Sequence, residues 1–245
     1  SPDCTPPHRS TTVSPSTVTH TEAPTSPWRS KFSSNAVRTA AKRSEQVPEI
    51  MAADTTARHP AAPRVTTVVD LGVISLLDVL PDPVTGTAPT VAARYQSLVR
   101  MAVRAEQAGF CALGVGEHHF SHYALPSPFL VLSYAAAATR TIELGTSVTL
   151  LANADPVRIA EDLATLDVLS GGRAEATFAR GVDTNTMTAF GIATIDELRP
   201  RFEEHLRLVL RLLTEDEVTW TGRFRAPLDR VRLSPRPVQQ PHPRI

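Results

Sequence analysis

The chain has little of what marks a secreted, membrane-bound or nucleic-acid-binding protein. Cys4 and Cys111 are the only cysteines in 245 residues, too few and too far apart for a disulfide framework, so a reducing compartment is the default. Lysine is confined to Lys31 and Lys42, and 25 basic side chains balance 25 acidic ones. With no net charge and no basic stripe, neither nucleic acid nor a membrane surface is an expected partner, and the dominance of arginine over lysine reads as coding bias. No apolar run approaches the roughly 18 residues that span a bilayer, and no compact apolar signal core opens the chain. These absences point to a cytoplasmic protein.

What is present divides in two. Residues 1–63 are dense in Ser, Thr and Pro and lack periodic apolar positions, a composition that cannot bury enough surface to offset ordering entropy, so a disordered tail is expected. Met51 reads as a plausible start, with the preceding residues a tail or an over-extended reading frame; a transit peptide is the alternative, but no amphipathic basic helix supports it. Residues 64–245 carry the pattern of one globular domain.

Order is expected to begin with an apolar strand over residues 65–77, suited to burial on both faces. Thr90 then offers a cap to a helix that Gly109 stops. A second strand, residues 111–115, leads to a helix over 129–139, and a third strand covers 142–150. Asp155 and Pro156 supply a cap and a first helical position for a helix closed by Gly171 and Gly172. A fourth strand, 174–179, precedes an irregular stretch and an amphipathic helix from Leu198 to Leu213, with Glu203 and Arg207 four apart on its outer face. Beyond it come short extended pieces, 218–220 and 231–233, and a proline-rich end. Strands alternating with helices predict a parallel α/β architecture whose right-handed crossovers bring all four strand C-termini to one side.

Chemistry is expected at that side. The second strand ends in Glu117-His118-His119-Phe120 and the fourth in Arg180-Gly181, and strand C-terminal ends are where ligands bind in sheets and barrels of βα units. An imidazole there can move a proton near neutral pH, and a guanidinium can hold phosphate bidentately. A solvated loop remains open for the histidines and a salt bridge for Arg180. Glu117, His118 and His122 suggest a metal site only weakly, because they lie in loop and no second ligand cluster exists. Arg158, Glu161 and Asp162 read as an ion-pair and capping network, Arg173 as structural, and Trp220 and Phe224 as surface cover.

The ordered blocks around these residues resemble the luciferase-like flavin monooxygenases. The resemblance rests on Glu117-His118-His119-Phe120, Leu144-Gly145-Thr146, Asp155-Pro156-Val157-Arg158 with Ala160-Glu161-Asp162, Leu166-Asp167, Leu169-Ser170-Gly171-Gly172-Arg173, Arg180-Gly181 and residues 235–241. It implies a TIM (β/α)₈ barrel of which about four βα units are present, the chain stopping where a fifth strand would begin. It implies His118 as the catalytic histidine, Arg180 as the arginine on the cofactor's phosphate, and a non-prolyl cis peptide at Ser147-Val148 beneath the flavin, with Glu117 also counted in the cofactor site. It implies reduced FMN supplied by a separate flavin reductase, oxygen, and a small organic substrate such as an aldehyde, in a protein that is a homodimer at full length. Alternatives on the same fold are an F420-dependent hydride-transfer enzyme and a non-catalytic barrel subunit. Where bacterial luciferase carries a reactive cysteine, Ala179 stands here, so thiol chemistry does not carry over.

Overall fold

The computed structural model describes residues 70–245; the expected tail over 1–63 and the suggested start at Met51 lie outside the described residues. Four strands, β1 (Gly72–Ser75), β2 (Ala112–Val115), β3 (Glu143–Leu150) and β4 (Ala174–Ala179), form one parallel sheet in sequence order. Helices α1 (Val91–Gln107), α2 (Pro128–Ala138) and α3 (Pro156–Ser170) make the crossovers. After β4 come the short α4 (Thr184–Ala189) and the long α5 (Leu198–Thr214). This is the α/β fold of an incomplete (β/α)₈ barrel, as expected.

The helix boundaries follow the capping chemistry in the sequence. Thr90 Oγ1 accepts from the Ala93 N–H at 3.1 Å, and Asp155 Oδ1 from the Val157 N–H at 2.8 Å with Pro156 at the first helical position. Gly171, at φ 70°, takes the left-handed turn that ends α3, a conformation glycine adopts without a Cβ clash. The core lies between the helices and one face of the sheet, where Leu113, Val115 and Leu144 meet Leu98, Leu132, Leu163, Leu166 and Leu208. Arg173 stitches the crossovers together at the far end of the sheet, donating to Ser170 O, Thr139 Oγ1 and Ile142 O at 2.7–3.1 Å. That is the structural role its position suggested.

Three expectations need correction. The first strand was expected to be buried on both faces, but Ile74 is 65% exposed, because helices cover only the outer face of this sheet. The irregular stretch after Gly181 contains α4, which Asp183 starts by accepting from Thr186 N and Oγ1 at 2.8 and 2.6 Å. The late extended pieces pair as an antiparallel hairpin of β5 (Val218–Trp220) and β6 (Leu228–Val231), not over 231–233. On the outer face of α5, Glu203 pairs with Arg199 at 2.9 Å. The proline-rich end is held by buried Asp167, which accepts from Val238 N, Gln239 N and Gln239 Nε2 at 2.7–2.9 Å.

Candidate functional site

The C-terminal ends of β1 to β4 surround a cleft of about 640 Å³, within the range of small-molecule sites. All five residues singled out from sequence line it: Glu117, His118, Ser147, Val148 and Arg180. They come from three different strand ends and meet only through the parallel topology.

The floor is made by close approach of backbones. A Cβ on Gly116 would lie 2.6 Å from Leu76 Cδ2 and 2.9 Å from Ser147 O, so only glycine lets β2 leave the sheet there. The Glu117 N–H then donates to Val148 O at 2.9 Å, tying the start of the histidine loop to β3. The peptide between Ser147 and Val148 is cis, as the resemblance implied. At the same place the β3–β4 register shifts between Ser147 and Thr149. The extra residue of this bulge resets the alternation: Ser147 and Val148 line the cleft, while Thr149 lines a separate cavity.

His118 is held by its surroundings but not by a hydrogen bond to its ring. Its N–H donates to Leu125 O at 2.9 Å, and its ring packs on Tyr123 with centroids 4.4 Å apart. Neither ring nitrogen has a protein partner among the described residues. Burial lowers its pKa below the ordinary 6.5; the neighbouring His119 adds to this and Glu117 opposes it. The imidazole is therefore neutral at pH 7 and has a free nitrogen to accept a proton. Arg180 follows β4, and Gly181 turns the chain at φ 75°. Its guanidinium has no carboxylate or other protein acceptor among the described residues and lines the cleft. The salt-bridge alternative finds no support here, and a free fork of donors suits an anionic ligand group.

Glu117 is less available than the other four. One carboxylate oxygen accepts from Leu150 N at 2.9 Å and the other meets His119 Nε2 at 2.7 Å. Both side chains of the pair are about nine-tenths buried, at 8% and 10% exposure. Glu117 thus borders the cleft while its carboxylate serves the protein. Sequence reasoning missed His119 as its partner, along with the Tyr123 ring beneath His118; the two-residue spacing of Glu117 and His119 was the one available signal. Arg158 pairs with Glu161 and Asp162, each at 3.3 Å, as its helical spacing suggested. No cluster of three or more His, Cys, Asp or Glu among the described residues is arranged to hold a metal, and no described helix is long and apolar enough to cross a membrane.

A family model for luciferase-like monooxygenases matches residues 69–245. This chain belongs to the luciferase-like monooxygenase family. Among solved structures, a monooxygenase from Streptomyces bottropensis superposes with a TM-score of 0.65 at 34% identity, covering 72% of this chain and 52% of its own. A 4-hydroxyprotoasukamycin monooxygenase from Streptomyces nodosus is 39% identical over 46% of this chain and 30% of its own length. An F420-dependent glucose-6-phosphate dehydrogenase from Kineococcus radiotolerans is 36% identical over 52% of this chain and 40% of its own. The chain spans about half or less of the length of these luciferase-like relatives.

The cleft fits a flavin-type cofactor on this chain's own features. Arg180 offers a phosphate a guanidinium with no protein acceptor among the described residues, and His118 lines the same cleft with free ring nitrogens.

Proposed function

We propose that this chain is the cofactor-binding half of a flavin-dependent monooxygenase that uses reduced FMN and molecular oxygen to oxidise a small organic substrate such as an aldehyde. The observation that carries this reading is the meeting of His118 and Arg180 at one cleft, each without a protein partner for its side-chain nitrogens. Reduced flavin, supplied by a separate reductase, provides the reaction with oxygen. Arg180 binds and orients the phosphate end. Ser147 and Val148, which line the same cleft, would form part of the surface that holds the ring system. His118, neutral at pH 7, accepts a proton at a ring nitrogen from the substrate or holds one for it. The rest of the wall excludes water and comes in part from the remainder of the barrel, with a homodimer as the full-length assembly.

A second reading, hydride transfer with F420, is favoured by the likeness to the F420-dependent glucose-6-phosphate dehydrogenase. Anaerobic titration of the full-length protein with reduced FMN and, separately, with F420, followed by absorbance and fluorescence, separates the two. Tight binding of reduced FMN and rapid reoxidation on adding oxygen are expected. Binding of F420 alone would replace the monooxygenase reading, and binding of neither would defeat both.

A further inference from the structure

Among the described residues no protein group bonds to either ring nitrogen of His118, so its imidazole is held by packing alone. The packing partner is Tyr123, whose ring lies 4.4 Å away, centroid to centroid, with the two planes 34° apart. That separation is at the short end of the range in which aromatic rings attract one another. Both residues are half-buried, but His118 lines the cleft and Tyr123 does not. The Tyr123 ring thus backs the imidazole from outside the cleft.

The backbone that carries Tyr123 is pinned on both sides. The chain just past β1 runs antiparallel to it: the Val79 N–H donates to His122 O at 2.7 Å, the Ala124 N–H donates to Leu77 O at 2.9 Å, and Asp78 faces Tyr123 between them. The His118 N–H closes the loop by donating to Leu125 O at 2.9 Å. Leu77 and Leu125 are fully buried, so this pairing is set into the core. Asp78 in turn meets Arg94, in the first turn of α1, at 2.9 Å. The ring beneath His118 therefore stands on a rigid base tied to β1 and α1.

We propose that Tyr123 is a positioning residue: its ring fixes the plane of the His118 imidazole, and with it the direction in which a ring nitrogen meets a proton in the cleft. The proposal rests on the monooxygenase reading for the use of that proton, but not for the orientation itself. The lone pair and the N–H of an imidazole lie in the plane of the ring, so a ring free to rotate aims them at the cleft only part of the time. Proton transfer needs the partners within hydrogen-bond reach, and a misplacement of about 1 Å can cost about 10²-fold in rate. A carboxylate bonded to the ring would also fix its plane, but at the expense of one nitrogen. Stacking leaves both nitrogens open, and Glu117, the neighbouring carboxylate, is committed to His119 and to Leu150 N. The Tyr123 hydroxyl makes no hydrogen bond among the described residues, so the aromatic face is the part that acts.

The full-length protein tests this with two variants. Tyr123→Phe keeps the ring and drops the hydroxyl, while Tyr123→Leu fills much of the space without an aromatic face, with Tyr123→Met as its substitute should the leucine variant not fold. In the ligand-free wild type, nuclear Overhauser contacts between the ring protons of His118 and Tyr123 are expected, and their absence would overturn the proposal without any variant. Turnover is read with an aldehyde that the wild type oxidises. Tyr123→Phe is expected to stay within about twofold of wild type, and Tyr123→Leu to fall about tenfold in kcat, both with reduced-FMN affinity within about threefold. Made in His118→Ala protein, Tyr123→Leu is expected to cost less than about twofold, because a residue that acts through His118 then has nothing left to act on. A full tenfold loss in that background, or a loss of flavin affinity, would overturn the proposal in favour of a general structural role. An equal loss in Tyr123→Phe would shift the role to the hydroxyl, and an unchanged kcat in Tyr123→Leu would remove it altogether. If the wild type binds no reduced flavin or oxidises no aldehyde, the proposed function fails, and the ring contacts in the ligand-free protein alone decide whether Tyr123 sets the imidazole.

Discussion

His118 and Arg180 are informative because their polar atoms are unspent. Most half-buried polar side chains are satisfied by the protein, so the free ring nitrogens of half-buried His118 are poised for a ligand, and exposed Arg180 joins it at the same strand-end cleft. Replacing His118 with Ala in the full-length protein is expected to leave flavin affinity within several-fold while lowering turnover by roughly 10² or more; normal turnover would remove it from the reaction. Because burial first, and His119 second, hold its pKa below 6.5, the neutral form persists to lower pH than for an ordinary histidine. The acid limb of kcat/KM is therefore expected to fall below pH 6.5, and a limb at or above that value would assign the titration to another group. Arg180→Ala is expected to weaken FMN binding by roughly 1.5 to 3 kcal/mol, the range for a hydrogen bond to a charged group, and riboflavin, which lacks the phosphate, much less. Equal weakening of both, read from fluorescence titrations, would make Arg180 structural. His118 and Arg180 were legible in the sequence because each stands within two residues of a glycine at the end of an apolar run. The function of Glu117's carboxylate was not, since its second partner, Leu150 N, lies 33 residues away and is brought to it only by the parallel pairing of β2 with β3.

At the scale of elements, local chemistry explains the helices and tertiary context explains most of what was missed. The caps at Thr90 and Asp155 and the stop at Gly171 are short-range signals, and α1 and α3 keep to them. The α4 segment has no apolar periodicity and only six residues, so nothing but the Asp183 cap announces it. Thr149 could not be placed, because the bulge that turns it outward is a property of pairing with β4. One staple between elements was equally invisible. Glu106, in the last turn of α1, accepts at Oε1 from the N–H groups of Arg140, Thr141 and Ile142 at 2.6–2.9 Å, gathering the turn between α2 and β3. These backbone donors, Thr141 foremost, lower its pKa to about 2 from an ordinary 4.5. Its stabilising contribution is therefore complete above pH 4.5 and is lost as pH falls toward 2. Glu106→Ala is expected to cost about 1 to 2 kcal/mol at pH 7, the range for losing a capping side chain. The difference from wild type should shrink steadily below pH 4.5 in urea melts of the full-length protein, and a difference that did not shrink would mean the carboxylate charge is not what holds the turn.

At the scale of the whole molecule, the described unit is a curved sheet with helices on one face only. The parallel order β1-β2-β3-β4 was readable from the alternation of apolar runs and amphipathic stretches. The openness of the other face follows from counting, because closing a small barrel takes about eight strands. Ile74 at 65% and Val182 at 64% exposure lie on or beside that face. The two edges differ: beside β4, the Ala176 N–H donates to Arg244 O at 2.9 Å and Glu175 bridges Arg244 in parallel, a first rung of covering strand, while no described strand covers the outer edge of β1. An uncovered strand edge beside exposed apolar side chains recruits another chain. Residues 64–245 produced alone are therefore expected to dimerise or aggregate through the open face, and to bind reduced FMN poorly with no flavin-dependent turnover, because part of the cofactor's wall is missing. Size-exclusion chromatography over a range of concentrations, paired with a flavin titration, checks both. A concentration-independent monomer that binds reduced FMN tightly would show that the exposed face is not a missing interface, and that the cleft built from β1 to β4 is sufficient for the cofactor by itself.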